Sequence, residues 1–163
     1  MPLPAMLGTP PPPLPCESGG EFAVVADSVV VPAPEPRAQT EHERQLYFDD
    51  AEMDRLRQPD SLANLPLAVE HDLGYREAMC QWRPGRVVGR VVTSWTGMDG
   101  SICARFGVFN QGAAATAVEK VLSGSLSEVS LGHAIFGAGE TQRKEPYELS
   151  LVEAGARSGA KIG

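Results

Sequence analysis

The chain has 163 residues, 42% of them hydrophobic, which is enough for one modest core and argues for a single domain. Its 14 Lys and Arg against 21 Asp and Glu leave a net charge of −7, and no window joins clustered basic residues to aromatic ones. This charge pattern argues against a nucleic-acid partner. No apolar stretch approaches the roughly 20 residues that span a bilayer, and prolines interrupt the N-terminus where a signal peptide would be apolar. We therefore expect a soluble, unsecreted protein with no membrane partner.

The three cysteines, Cys16, Cys80 and Cys103, form neither a C-x-x-C pair nor a Cys/His metal spacing. Their odd number also argues against a disulfide framework, so a reducing compartment fits best. Neither Cys80 nor Cys103 lies in a glycine-bounded or basic context that would activate a thiol as a nucleophile. The sequence therefore predicts no metal and no other cofactor.

The predicted elements begin after a leader at 1–20, whose prolines and Ser-Gly-Gly run favour extended, solvated backbone. We expect this leader to be disordered. Residues 21–163 form the predicted domain. Its first strand is predicted at 21–31 and ends at Pro32, because proline cannot donate a hydrogen bond to a sheet. A linker rich in proline and charge follows.

Two helices are predicted after the linker, among several strands. Asp49 or Asp50 can cap a short helix at 51–58, and Asn110 can cap an Ala-rich helix that runs to about Leu122. Further strands are predicted at 65–71, 86–95, 101–108, 126–136 and 147–152.

The spacing of these strands indicates the fold class. Gly97, Asp99 and Gly100 are turn residues, and they predict a hairpin between the strands at 86–95 and 101–108. Because strands outnumber helices and short turns connect them, we expect a mostly β protein with a few helices. The pattern predicts a mostly antiparallel sheet or barrel.

Three histidines limit the catalytic chemistry that the chain can perform. A serine hydroxyl is a weak nucleophile until a base takes its proton, and imidazole suits that task at neutral pH. His42 lies in the charged linker and is interpreted as solvated. His133 follows Ser130 by three residues, an odd spacing that puts the two side chains on opposite faces of a strand. His71 ends an apolar strand, where it can face a cleft; the alternative is an edge histidine bonded to a backbone carbonyl.

Ser130 and Ser150 are the two candidate nucleophiles. They occupy an echoed pattern, Glu-Val-Ser-Leu at 128–131 and Glu-Leu-Ser-Leu at 148–151. Glu148 shares a strand face with Ser150, and a carboxylate beside a histidine fixes the tautomer of the ring. Ordinary solvent-facing strand serines and a surface carboxylate are the alternatives on residue type alone.

The turn Ala-Gly-Ala-Arg-Ser-Gly at 154–159 directly follows the strand that carries Glu148. Its glycines allow backbone N–H groups to be exposed, and its arginine adds a cation, so it can form an anion-binding concavity. A plain loop is the alternative.

Two ordered segments resemble the maturation proteases of herpesvirus capsids, the assemblin family, and the prohead proteases of tailed phages. Segment 65–72, LPLAVEHD, looks like the Leu-Pro-Leu-x-x-x-His-Asp motif that carries the base histidine, which implies that role for His71. Segment 121–132, VLSGSLSEVSLG, looks like the helix end and strand that carry the nucleophile. This second resemblance places the nucleophile at Ser130 and not at Ser150.

The third segment, GARSG at 155–159, is similar to the Gly-Arg-Arg-Arg-Gly turn of the herpesvirus enzymes. The resemblance implies an oxyanion-binding N–H at Ala156 and a water-holding side chain at Arg157. Herpesvirus proteases use a second histidine as the third catalytic member, whereas this chain has Glu148 at the matching position, which looks like the acidic residue of the phage enzymes. The resemblance implies a fold that is an antiparallel β-barrel surrounded by helices. Because family members continue into helices after the turn, we expect a domain truncated at its C-terminus, either a fragment or an unusually short form.

The resemblance implies a serine endopeptidase that cleaves capsid scaffold protein and itself during capsid maturation, with His71, Ser130 and Glu148 as its triad. It also implies a procapsid or virion location in the infected cell and a homodimer. The alternative is a non-catalytic capsid-assembly or scaffold-interaction module with the same fold, and an unrelated small β-rich esterase is a third reading.

Overall fold

In a computed structural model of the chain, the structure describes residues 22–79, 86–110, 112, 114–138 and 141–163. The predicted leader, Cys16 and Cys80 lie outside these ranges. None of the helices in the described part of the chain has the length and hydrophobicity that crossing a bilayer requires.

The described residues form six strands and four helices, in keeping with the predicted mostly β class. The strands are β1 Phe22–Val31, β2 Pro66–Val69, β3 Gly89–Thr96, β4 Ile102–Phe109, β5 Glu128–Phe136 and β6 Arg143–Val152. The helices are α1 Glu41–Leu46, α2 Asp50–Leu56, α3 Tyr75–Met79 and α4 Ala114–Ser123.

The six strands form one curled sheet in the order β1-β4-β3-β2-β6-β5. All neighbouring pairs are antiparallel except β2 and β6, which run parallel, and β3 and β4 form the hairpin that the turn residues predicted. The segment 160–163 bridges the two edge strands: Val29 N donates to Lys161 O at 3.0 Å, and Val129 N donates to Ala160 O at 3.0 Å. The sheet is therefore a half-barrel whose edges are joined by the last residues of the chain.

The core packs against this sheet and consists mainly of aliphatic side chains, together with Phe48, Phe106 and Phe109. Buried and more exposed residues alternate along most of β1 and β3, as expected for half-buried strands, whereas β4, β5 and β6 carry runs of consecutive buried residues. The largest fully buried side chains include Leu62, Leu67, Leu73, Val91, Ile102, Phe106, Leu149 and Leu151.

Helix α2 lies where a short helix was predicted, and its N-cap is Asp49 and not Asp50. The Asp49 side chain accepts from Glu52 N, and the Glu52 side chain accepts from Asp49 N, both at 2.8 Å, which completes a capping box. Met53 and Leu56, three residues apart, are buried on one face of the helix. Glu52 is buried too, with its Oε1 3.1 Å from Lys144 Nζ, so a buried ion pair fastens α2 to β6.

Three local features differ from the predictions. Helix α1 lies within the segment interpreted as a linker; it has no buried residue and so lacks an apolar stripe, but a Thr40–Glu43 capping box marks its start. Helix α3 has only five residues, too few for a helical period to be recognised. Strand β6 begins at Arg143 and runs through Pro146, at a register shift against β5, which is where a strand tolerates proline.

Candidate active site

Three adjacent strands bring the distant candidate segments together. Ser150 on β6 lies directly opposite Ser130 on β5 and opposite Ala68 on β2, and Glu148 lies opposite Gly132. Residues paired across neighbouring strands project to the same face of a sheet. One face at this place therefore carries both serines of the echoed pattern and the carboxylate.

A tight turn at the end of β2 carries the histidine to that face. Glu70 and His71 have φ angles of 51° and 57°, a left-handed conformation that is uncommon in residues other than glycine. Hydrogen bonds hold the turn: Glu70 N donates to Leu151 O at 3.0 Å, and Asp72 N donates to Val69 O at 3.1 Å. His71 therefore lies close to the end of a strand, as predicted, but it belongs to the turn after β2 and not to the strand itself.

The side chains of His71, Ser130 and Glu148 form one hydrogen-bonded chain. His71 Nδ1 is 2.6 Å from Glu148 Oε1, and His71 Nε2 is 2.9 Å from Ser130 Oγ. An ionised carboxylate only accepts hydrogen bonds, so Glu148 places the ring proton on Nδ1 and leaves Nε2 free to accept from the serine. This geometry is suited to removing the hydroxyl proton of Ser130.

Glu148 is fully buried, so the alternative of a surface carboxylate is wrong. Its second oxygen, Oε2, accepts from Ser150 Oγ at 2.6 Å. Space for the carboxylate depends on Gly132: a Cβ at that position would lie 2.1 Å from Glu148 Oε1. The absence of a side chain at Gly132 therefore makes room for the acid.

Gly132→Ala is expected to displace the Glu148 carboxylate from His71 and to destabilise the protein by about 1–3 kcal/mol through overpacking. The carboxylate cannot simply rotate away, because both of its oxygens are bonded in a buried site. Denaturant unfolding measures the free-energy loss. Gly74→Ala is the control, since the atom nearest to a Cβ there is at 3.6 Å. Equal stability of the two variants would contradict the expected clash.

His71 and His133 have pKa values that are shifted in opposite directions. The hydrogen bond to Glu148 raises the pKa of His71 above 6.5, against the opposing effect of burial and with added attraction from the Glu148 and Glu70 charges. Burial, together with the charges of Arg157 and Lys144, lowers the pKa of His133 below 6.5. An imidazole acts as a base only when neutral, so a base at His71 becomes active as the pH rises through this raised pKa.

In an NMR titration of the intact chain, the His71 ring is expected to titrate above pH 6.5 and the His133 ring below it. Single replacements of each histidine assign the signals. A His71 signal that titrates below pH 6.5 would contradict the ionised Glu148 partner.

The other sequence candidates lie elsewhere. His42 is exposed on α1. His133 Nε2 contacts Gln45 O at 2.8 Å and not a serine. Asp72 is exposed beyond the turn. Cys103 lies on β4, where burial raises the pKa of its thiol, the opposite of what an activated nucleophile needs.

The turn at 155–159 follows β6 and lies against β5. Gly155 N donates to Glu128 Oε1 at 2.8 Å, two residues before Ser130. Ala156 is exposed, and its N–H has no hydrogen-bond partner among the described residues. The oxyanion-binding role predicted for this N–H stays a prediction.

The Arg157 side chain is buried and holds the turn to the segment after β1. Its Nη2 lies 2.7 Å from Glu35 Oε2 and 2.8 Å from Leu46 O, and its guanidinium stacks 4.9 Å from the centre of the Phe48 ring. These contacts occupy much of its donor capacity, so the structure gives it an anchoring position, and its water-holding role stays a prediction. The sequence alone does not indicate that Glu35 is the partner of Arg157, because a single acidic residue in a Pro-rich segment shows no pattern that predicts an ion pair.

Comparisons with known proteins agree with this architecture. The fold is similar to that of a herpesvirus protease. The protease of Kaposi's sarcoma-associated herpesvirus in complex with a hexapeptide phosphonate inhibitor matches with a TM-score of 0.51 and 16% identity, over 85% of this chain and 63% of that chain. The same protease with an allosteric inhibitor matches with a TM-score of 0.49 and 17% identity, over 85% of this chain and 73% of that chain.

At 16–17% identity, these similarities concern the fold alone. This chain spans less than two thirds of the length of the first of those structures. No protein-family model matches the sequence, and no curated protein matches it.

Within the described residues, no group of three or more His, Cys, Asp or Glu side chains is placed to hold a metal ion.

Proposed function

We propose that this chain is a serine endopeptidase with Ser130 as nucleophile, His71 as general base and Glu148 as the orienting acid. The observation that carries the proposal is the continuous hydrogen-bond chain from Glu148 through His71 to Ser130, with links of 2.6 and 2.9 Å. Nucleophile, base and orienting acid within hydrogen-bond reach is the signature of an activated serine. The herpesvirus-protease-like fold supports the peptidase reading over a simple esterase.

In the proposed reaction, Ser130 Oγ attacks the scissile carbonyl while its proton passes to His71 Nε2. The imidazolium so formed is stabilised by the buried Glu148 carboxylate, and the Ala156 N–H stabilises the oxyanion. His71 then protonates the leaving amine, which frees the first product and leaves an acyl group on Ser130. A water molecule, deprotonated by His71, attacks this ester and releases the second product.

The proposed substrates are capsid scaffold protein and the chain itself, during maturation of a viral capsid. Two observations support them: the order of the three sequence segments, and a fold similar to a herpesvirus protease for which a peptide-based inhibitor complex is known. A homodimer and a place in the procapsid or virion belong to the same proposal.

Labelling of the intact chain with a fluorophosphonate tests whether the hydrogen-bond chain activates its serine. The phosphorus is attacked by an activated hydroxyl, fluoride leaves, and the adduct is located by mass spectrometry. The expected result is one adduct, on Ser130, with a rate that increases as the pH rises through the raised His71 pKa. A well-folded chain that stays unlabelled at all pH values would favour the non-catalytic scaffold-interaction module and would overturn the proposal.

A further inference from the structure

Ser150 lies at the centre of the site without being its nucleophile. It is fully buried in the middle strand of the three, so a substrate cannot reach its hydroxyl. Its Oγ donates to Glu148 Oε2 at 2.6 Å and accepts from His71 N at 3.0 Å. One side chain thus contacts both the acid and the backbone of the base.

We propose that Ser150 is the positioning residue of this site, a fourth member that fixes Glu148 and His71 relative to each other. The proposal rests on the proposed function, because a positioning role matters only if His71 acts on Ser130. It is carried by the two hydrogen bonds and by the placement of Ser150 directly opposite Ser130 in the β5–β6 ladder.

The contact with Glu148 completes the hydrogen bonding of a buried carboxylate. His71 Nδ1 binds Oε1, and Ser150 Oγ binds Oε2, so each oxygen has a donor. Without the serine, Oε2 would remain buried without a partner, and such a group is costly. The carboxylate would then rotate or take up a proton, and either change weakens its bond to the His71 ring.

The contact with His71 supports the turn that presents the imidazole. Glu70 and His71 both adopt the left-handed conformation, which residues with a Cβ adopt only when their surroundings hold them there. The bond from His71 N to Ser150 Oγ continues the β2–β6 pairing beyond the end of the strand. A hydroxyl has one donor and two acceptor positions, so Ser150 can support the acid and the turn at once.

The test compares Ser150→Ala with the intact chain and with Ser94→Ala as a matched control. Ser94 is also a buried strand serine whose Oγ accepts from a backbone N–H, that of Leu62 at 3.0 Å, but it belongs to β3. The first readout is the rate of fluorophosphonate labelling of Ser130 between pH 5 and 9. The second is the His71 titration by NMR, which needs no activity.

Ser150→Ala is expected to slow labelling by about 10- to 100-fold, the range found when the hydrogen-bond partner of a metal-binding histidine or carboxylate is removed. Its pH midpoint and the His71 titration should both move downward, because the Glu148 bond that raises the pKa of His71 is weakened. Ser94→Ala should change neither. Ser150→Thr keeps the hydroxyl and should recover most of the labelling rate. If Ser150→Ala does not fold, Ser150→Cys replaces it, because a thiol has a similar shape and is a weaker hydrogen-bond donor.

The outcomes separate the two proposals. Labelling of Ser130 in the intact chain at the same rate and midpoint as in Ser150→Ala would overturn the positioning role and leave the proposed function standing. An unlabelled intact chain in which Ser150→Ala alone shifts the His71 titration would support the positioning of His71 and Glu148 while the proposed function fails. A shift of equal size in Ser94→Ala would overturn the positioning role.

Discussion

Ser130→Ala is expected to reduce peptide cleavage by about 10⁶-fold, the loss typical when a triad nucleophile is removed. The alanine has no oxygen to form the acyl bond, while His71 and Glu148 keep their own contact. The intact chain is incubated with a mixed peptide library, which offers many cleavage-site sequences, and the products are identified by mass spectrometry. Self-cleavage of the chain is measured in the same way. The variant should also lose the fluorophosphonate adduct completely.

The stability of Ser130→Ala separates a chemical effect from a structural one. Among the described residues, the Ser130 hydroxyl bonds to the partly exposed His71 ring alone, so its loss should change the free energy of unfolding by about 1 kcal/mol or less. Ser94→Ala removes a buried serine outside the site and should retain cleavage. If Ser130→Ala processed peptides as fast as the intact chain, Ser130 would not be the nucleophile.

Much of the candidate site is readable from the sequence because strand periodicity is local. Alternation of polar and apolar residues placed Glu148 and Ser150 on one face, and the structure has both on that face, bonded to each other. The end of an apolar run placed His71 at a strand terminus, and β2 does end two residues before it. Short-range patterns of this kind predict which residues share a face and where a strand stops.

Strand pairing and register are long-range properties, and the sequence does not contain them in readable form. The parallel pairing of β2 with β6 brings His71 to Glu148 across 77 positions of the chain. Only this register shows that Ser150 supports the acid and that Gly132 makes room for it. A serine and a glycine are chemically unremarkable until their neighbours across the ladder are known.

The contacts that hold the turn at 155–159 could not be predicted from the sequence for a related reason. Arg157 was predicted from the turn itself, but its partner Glu35 lies 122 positions earlier, in a segment interpreted as a linker. Both members of this ion pair are buried, so each depends on the other for compensation. Buried pairs of this kind join loops into a folded unit without leaving a periodic signal.

Glu148→Gln is expected to lower kcat by about 10⁴-fold with little effect on KM, because the acid acts on the histidine and does not touch the substrate. The amide loses the charge that stabilises the imidazolium. The amide oxygen and the NH₂ group must also face the two partners of the carboxylate, His71 Nδ1 and Ser150 Oγ. In one of the two orientations the NH₂ group faces Nδ1, which favours the tautomer with the ring proton on Nε2, where it cannot accept the serine proton.

The pH profile of Glu148→Gln distinguishes this explanation from general damage. The hydrogen bond to Glu148 is the largest cause that raises the pKa of His71, so its loss should move the acidic limb of the rate profile to lower pH while the plateau falls. Glu145→Gln is the same change on the same strand. Among the described residues, the Glu145 carboxylate bonds to Arg143 at 3.1 Å and to no residue of the site, so this variant should leave both features in place. Unchanged turnover in Glu148→Gln would instead mean that Ser130 and His71 act as a dyad, or that Asp72 orients the ring. An unmoved acidic limb at reduced turnover would mean that Glu148 supports the structure of the site and not the basicity of His71.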